Sequence, residues 1–209
     1  MVALVKPDNL IDFPQPQVKR LALLPSRNNE WYTLPKYIEA VREVMNGIDL
    51  DPASCAEANE TVRAKRYYTK EDNGLAQSWF GKVYCNPPFG RTGSVSNIGL
   101  FTRKIVDEYL SGNVEQAILL STMKTATSWF YLLWDYPICF VDHVVHFNCT
   151  RPTKKHPTST HFHGTIFVYL GKDKQKFANI FSKFGPVIPG NVAVRRRDTV
   201  QTSLWEVQS

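Results

Sequence analysis

Four adjacent residues, Asn86, Pro87, Pro88 and Phe89, close the apolar run Val83-Tyr84-Cys85 and bring together the groups needed to hold an exocyclic amino group. The Asn86 side-chain oxygen and the Pro87 carbonyl can each accept a hydrogen bond from such an NH2, and successive prolines fix the backbone so that both acceptors converge. Phe89 offers a ring to stack on the planar base that carries the amine. In an aromatic amine the nitrogen lone pair is delocalised into the ring. Two acceptors pulling on the N–H bonds favour a pyramidal nitrogen that can attack a sulfonium methyl, a gain that is electrostatic and positional. No strong base is needed before attack, because the nitrogen turns acidic only once it carries the methyl and a positive charge. Such a site must exclude water and receive the base out of its stack. The same four residues also read as a plain strand-ending turn, which Asn and Pro favour on their own.

The elements around this motif follow from punctuation and periodicity. Pro35 opens a helix through Met45, with Ile38, Val41, Val44 and Met45 recurring on one face and Gly47 placed to end it. A strand at Ile48 to Leu50, another including Tyr67 and Tyr68, and a third from Gly81 to Cys85 come next. The third delivers the tetrapeptide at its carboxyl end, where ligands gather in open parallel sheets. Phe101, Ile105, Tyr109 and Leu110 mark an amphipathic helix, Val114 to Leu120 a buried strand, and Ser128 to Trp134 an aromatic helix. Pro137 to Val141, Val144 to Phe147 and Thr165 to Leu170 read as strands, and Phe177, Ile180, Phe181 and Phe184 as a last helix, with a tail after Gly185. This βαβ rhythm predicts an α/β fold: a single domain with a mostly parallel central sheet flanked by helices.

At 209 residues and 43% hydrophobic, the chain fills one α/β domain and is short for two. Residues 1–27, with Pro7, Pro14, Pro16 and Pro25, read as a flexible arm, 28–190 as the domain, and 191–209, with Arg195-Arg196-Arg197, as a tail. A net charge of +6 suits a polyanionic partner. No apolar stretch is long enough to cross a bilayer and the N-terminus lacks the apolar core of a secretory signal, so a cytoplasmic protein is expected. Cys55, Cys85, Cys139 and Cys149 lack the close pairing of a zinc knuckle or redox dithiol and read as reduced, with Cys85 and Cys139 in the core. His156, His161 and His163 have no cysteine or carboxylate at ligand spacing, so no metal is expected. His143 and His146 read as ordinary hydrogen-bonding residues.

The run Glu30-Trp31-Tyr32-Thr33, then Ile48-Asp49-Leu50-Asp51-Pro52-Ala53-Ser54, Tyr67 to Leu75, Trp79 and Asn86-Pro87-Pro88-Phe89 closely resembles the phage and prophage DNA N6-adenine methyltransferase family, often called phage Dam-like. The resemblance continues through Ala117 to Leu120, Trp129-Phe130 and the segment from Tyr169 to Gly185, so it covers roughly residues 28 to 186. It implies a Rossmann-like class I methyltransferase domain, S-adenosyl-L-methionine (SAM) as methyl donor and duplex DNA as substrate. It gives Asn86, Pro87, Pro88 and Phe89 the catalytic role on a flipped adenine. The tetrapeptide type also serves enzymes that methylate a glutamine amide, so cytosine N4, RNA adenine and protein glutamine stay open as alternative amines. A DNA-binding relative without catalysis is a further alternative.

Asp51-Pro52-Ala53-Ser54 stands where many amino-methyltransferases have Asp-Pro and a glycine-rich turn after the first strand; here Ala53 and Ser54 must permit the close approach of SAM. Asp49 and Asp51 are both candidates to face the cofactor from this strand, and Asp51 is favoured over Asp49. Asp51 could instead cap the next turn. Trp31 and Thr33 wall the cofactor by resemblance to a Trp-x-Thr-Pro element, with Leu34 here in place of the proline and Pro35 following. Asp72 either accepts from the adenine of the cofactor or closes an ordinary Asp-Asn-Gly turn. Gly90 to Ser94, carrying Arg91, can close on a flipped nucleotide and its phosphates. The basic loop with Arg151, Lys154 and Lys155 is expected to read the target, within recognition loops near 90–100 and 148–163, or else is a solvated loop. Lys124 is a further expected phosphate contact.

Overall fold

The computed structural model describes residues 31–147, 159–160 and 164–190. The expected arm and tail, Cys149, Arg151, Lys154, Lys155, His156, His161 and His163 lie outside the described residues.

Helix α1 (Pro35–Met45) starts with proline at its first turn and buries Tyr37, Ile38, Ala40, Val41, Val44 and Met45 on one face. Leu34 precedes it in extended conformation, so replacement of the family's proline by leucine simply moves the helix-opening proline one residue on. The left-handed cap is Asn46 (φ 56°), with its N–H on the Arg42 carbonyl, and Gly47 follows at φ 112°. β1 (Leu50–Asp51) is shorter and later than the sequence predicts. Helix α2 (Ala56–Val62) has no apolar stripe, burying only Val62, and is held at its start by the Cys55 sulfur, which accepts from the Ala58 amide. β2 (Arg66–Tyr67) and β3 (Gly81–Cys85) follow.

Beyond the tetrapeptide, β4 (Arg91–Thr92) and β5 (Val95–Ser96) form a small antiparallel hairpin. Ser96 caps α3 (Asn97–Leu110), which leads to β6 (Val114–Thr122). The predicted aromatic helix at Ser128 to Trp134 is instead one 3-10 turn, Phe130–Leu133. Its bulky side chains are buried without the helical hydrogen-bond ladder, so apolar content there reflects packing rather than periodicity. β7 (Ile138–Phe140) lies in the main sheet, whereas β8 (His146–Phe147) pairs only with β9 (Ser159–Thr160). β10 (Thr165–Leu170), α4 (Lys174–Phe181), a 3-10 turn and β11 (Val187–Ile188) complete the described chain. β11 corrects the expectation that the chain leaves the fold after Gly185: it pairs with β7 at the sheet edge.

The seven strands are ordered β11-β7-β10-β6-β3-β1-β2. β2, β1, β3 and β6 are mutually parallel, β10 runs against both β6 and β7, and β11 runs against β7. The sheet is therefore mostly parallel, with a reversed strand set between β6 and β7. Alternation assigns the two faces: Tyr84, Ile118 and Leu120 pack with α1 and α4, and Val83, Cys85, Ala117 and Leu119 with α3 and the 3-10 turn. β1 lies between β2 and β3, so the chain moves out in opposite directions on its two sides. That is a topological switch point, and it opens a crevice at the carboxyl ends of β1 and β3.

Among the described residues no helix is long and apolar enough to cross a membrane. Cys85 and Cys139 are buried in the core and, with Cys55, unpaired. His143 is hydrogen-bonded on both sides, to Tyr37 and Asp142.

Candidate functional site

A cavity of about 720 Å³ occupies that crevice, within the range of about 300–1,000 Å³ typical of small-molecule sites. Two loops wall it. Asp51 and Ser54 come from the end of β1 and Asn86 to Phe89 from the end of β3, while Trp31 and Thr33 close it from the segment before α1.

β3 must stop at Cys85, because Pro87 and Pro88 have no N–H to continue a ladder. The Asn86 amide is then held from one side. Its Nδ2 donates to the Trp31 carbonyl at 2.7 Å and to the Thr33 hydroxyl at 3.2 Å. A carbonyl can only accept, so the nitrogen must face Trp31 and the oxygen must face the other way. That oxygen, Oδ1, is buried and has no hydrogen-bond partner among the described residues. An unpartnered buried acceptor is costly, of order 1–3 kcal/mol, unless a ligand donor meets it. Phe89 stands edge-on to Trp31 (5.8 Å between centroids, 66°) and to Phe147 (6.4 Å, 72°), and Trp31 and Phe147 are themselves 5.7 Å apart. Three rings thus brace one another beside the amide.

Asp51 is 2% exposed. Its Oδ1 accepts from the Ala53 amide at 3.1 Å, so the residue both caps its own turn and lines the cavity. Burial pushes its carboxyl up to about 7, against the pull of that amide. The nearby Ser54 hydroxyl is buried in the same wall, close enough to the Asp51 carboxyl to pull its pKa down alongside the Ala53 amide. Thr33 and Tyr84 join their hydroxyls at 2.7 Å behind Asn86.

Asp49 and Asp72 do not line the cavity. The Asp49 carboxylate takes the Lys65 ammonium at 2.8 Å and the Lys82 amide at 2.9 Å. Burial alone would raise its pKa, but those two donors prevail and hold it below its ordinary value. Asp72 accepts from the Thr69 amide and hydroxyl at 2.8 and 2.9 Å, and these bonds lower its pKa; it closes an exposed turn. Arg91 is exposed and hydrogen-bonds the Ser94 carbonyl within the hairpin. Lys124 is exposed just past β6, whose carboxyl end shares an edge with that of β3.

Sequence reasoning missed Tyr84, Phe147 and Gly74. Tyr84 left one signal, a hydroxyl inside an apolar run that would need a partner. Gly74 packs against the cofactor-side loop: a Cβ there would stand 1.9 Å from the Pro52 carbonyl oxygen. Gly74→Ala is expected to displace the Asp51-Pro52 loop at a cost of about 1–3 kcal/mol, lowering Tm by roughly 5 °C. Thermal unfolding checks this, and an unchanged Tm would show that the loop gives way freely.

Fold and site together define an α/β protein with a cavity at a switch point, walled in part by the Asn86 amide. The model of the DNA N-6-adenine-methyltransferase (Dam) family matches residues 22–185, so the chain belongs to that family. It is an adenine-specific DNA methyltransferase, and the family implies DNA as its substrate. No curated protein matches the chain.

Proposed function

We propose that the chain transfers the methyl group of SAM to N6 of an adenine rotated out of duplex DNA, on a Rossmann-like class I domain. The observation that carries this reading is the buried, unpartnered Asn86 Oδ1, aimed by the two bonds its own Nδ2 makes. An acceptor so oriented fits an amine donor and repels a carbonyl. Among the bases this admits those with an exocyclic amine, and the family match selects adenine.

In this reading Asn86 Oδ1 accepts one N6–H and the Pro87 carbonyl the other, which localises the lone pair on nitrogen. Pro88 holds the turn rigid and Phe89 stacks on the base. The cavity suits SAM as donor: the Asp51 carboxylate faces its positive charge, the Ser54 hydroxyl lines the same wall, and Trp31 and Thr33 close it. Bound there, SAM supplies an electrophilic methyl. As the new C–N bond forms, the C–S bond breaks with its electrons going to sulfur, and N6 then loses a proton to water. Asp49 and Asp72, which do not line the cavity, are given no part in holding the donor. Arg91 and Lys124 lie on the edge of the sheet where the cavity opens, and with Arg151, Lys154 and Lys155 they meet phosphates.

The test uses the purified chain, adenine-unmethylated genomic DNA and SAM labelled in its methyl group. Nucleoside digestion with mass spectrometry is expected to find the label in N6-methyladenine. Label in N4-methylcytosine, or no transfer, would overturn the reading.

A further inference from the structure

We propose that Tyr84 is a positioning residue for Asn86 and acts through the Thr33 hydroxyl. The inference rests on the reading of Asn86 as the amine acceptor. Tyr84 and Asn86 are two residues apart at the end of β3, and Tyr84 is 1% exposed. Among the described residues its hydroxyl has one hydrogen-bond partner, Thr33, at 2.7 Å.

Rotation about the terminal bond of an Asn side chain is soft, so a single anchor leaves the oxygen free to swing. The Trp31 carbonyl holds one N–H at 2.7 Å; the other reaches Thr33 at a longer 3.2 Å. The second anchor is only as steady as the threonine hydroxyl itself. That hydroxyl is pinned by Tyr84, whose ring is locked in the core beside Ile118 and Leu120. Burial raises the phenol well above its ordinary value, so it stays neutral in this bond.

A phenylalanine would fill the same space without burying a hydroxyl. Retaining the hydroxyl at this depth carries a desolvation cost that one bond to Thr33 only offsets. The return is orientation: Tyr84 to Thr33 to Asn86 forms a line of bonds that ends on the amide lining the cavity. A merely structural tyrosine would need no partner that itself touches the reactive amide.

The test is a double-mutant cycle on duplex DNA with SAM, measuring kcat and the Kd of SAM for Tyr84→Phe, Thr33→Val and the pair. Loss of one neutral hydrogen bond predicts kcat about fivefold lower in Tyr84→Phe, with SAM affinity within about twofold of the wild type. In the Thr33→Val background, Tyr84→Phe is expected to add nothing further, because its route to Asn86 is already cut. Thr33→Ser is expected to recover most of the turnover that Thr33→Val loses. Effects that multiply in the pair would overturn the proposal, as would a SAM affinity that weakens in step with kcat in Tyr84→Phe. Asn86→Ala separates the two levels: full turnover there removes the acceptor role itself, whereas an inactive Asn86→Ala alongside multiplying effects removes the relay alone.

Discussion

Asn86→Ala is expected to retain SAM affinity within about twofold and to lose turnover by about 10²–10³. The deleted oxygen has no hydrogen-bond partner among the described residues, so ground-state binding of the donor has little to lose. Its partner exists only when the amine is present, and it acts most strongly as positive charge develops on that nitrogen. Asn86→Asp sharpens the test. The variant keeps an acceptor toward the cavity, but its second oxygen now faces the Trp31 carbonyl, formerly the acceptor of a 2.7 Å bond. Two acceptors at that distance repel, so the side chain must turn and turnover is expected to fall here too. Rapid-quench measurement of a single turnover, with SAM binding followed separately, decides the matter. Collapse of SAM binding in Asn86→Ala would mean that the amide holds the donor rather than the acceptor.

Gly81–Cys85, Pro35–Met45 and Thr165–Leu170 have the bounds their residues imply, because glycine or proline delimits an apolar pattern of a single period. Helix α2 was hidden for the opposite reason: a polar segment with one buried residue has no period to read, and its cap is a cysteine sulfur rather than a hydroxyl. Val187–Ile188 joins the sheet only because β7 offers an open edge, which two residues cannot announce. Within the site the tetrapeptide and Asp51 were legible, since their chemistry is carried by residue type. The fates of Asp49 and Asp72 depended on who stands opposite. Asp72 meets Thr69 three residues away, but Asp49 meets the Lys82 amide, 33 positions on. The Thr33–Tyr84 contact spans 51 positions and has no local sign at all.

SAM affinity is expected to climb with pH and level off above about 7, the value to which burial pushes the Asp51 carboxyl. The sign follows from the charge on the donor. A cationic ligand favours the ionised carboxylate, so below pH 7 binding must first displace a proton, and each unit of pH below that point weakens affinity by about tenfold. Affinity at about pH 6 is thus expected to be roughly tenfold lower than at pH 8. Stability of the ligand-free protein moves the other way. The folded-state carboxyl is raised above its ordinary 3.8, so the unfolded chain ionises first; the contribution of Asp51 is full below about pH 4, declines as pH rises to about 7, and is flat beyond. Asp51→Asn removes the titrating group. It is expected to weaken SAM by about 100-fold at pH 8, the loss that follows when a buried charge partner is taken away, and to leave the remaining affinity independent of pH. Calorimetric titration between about pH 5.5 and 8.5, in buffers of different ionisation enthalpy, reads both the affinity and the proton released on binding. A wild-type affinity that stays level across that interval, with no proton released, would remove Asp51 from the donor site and leave its burial a matter of the turn it caps.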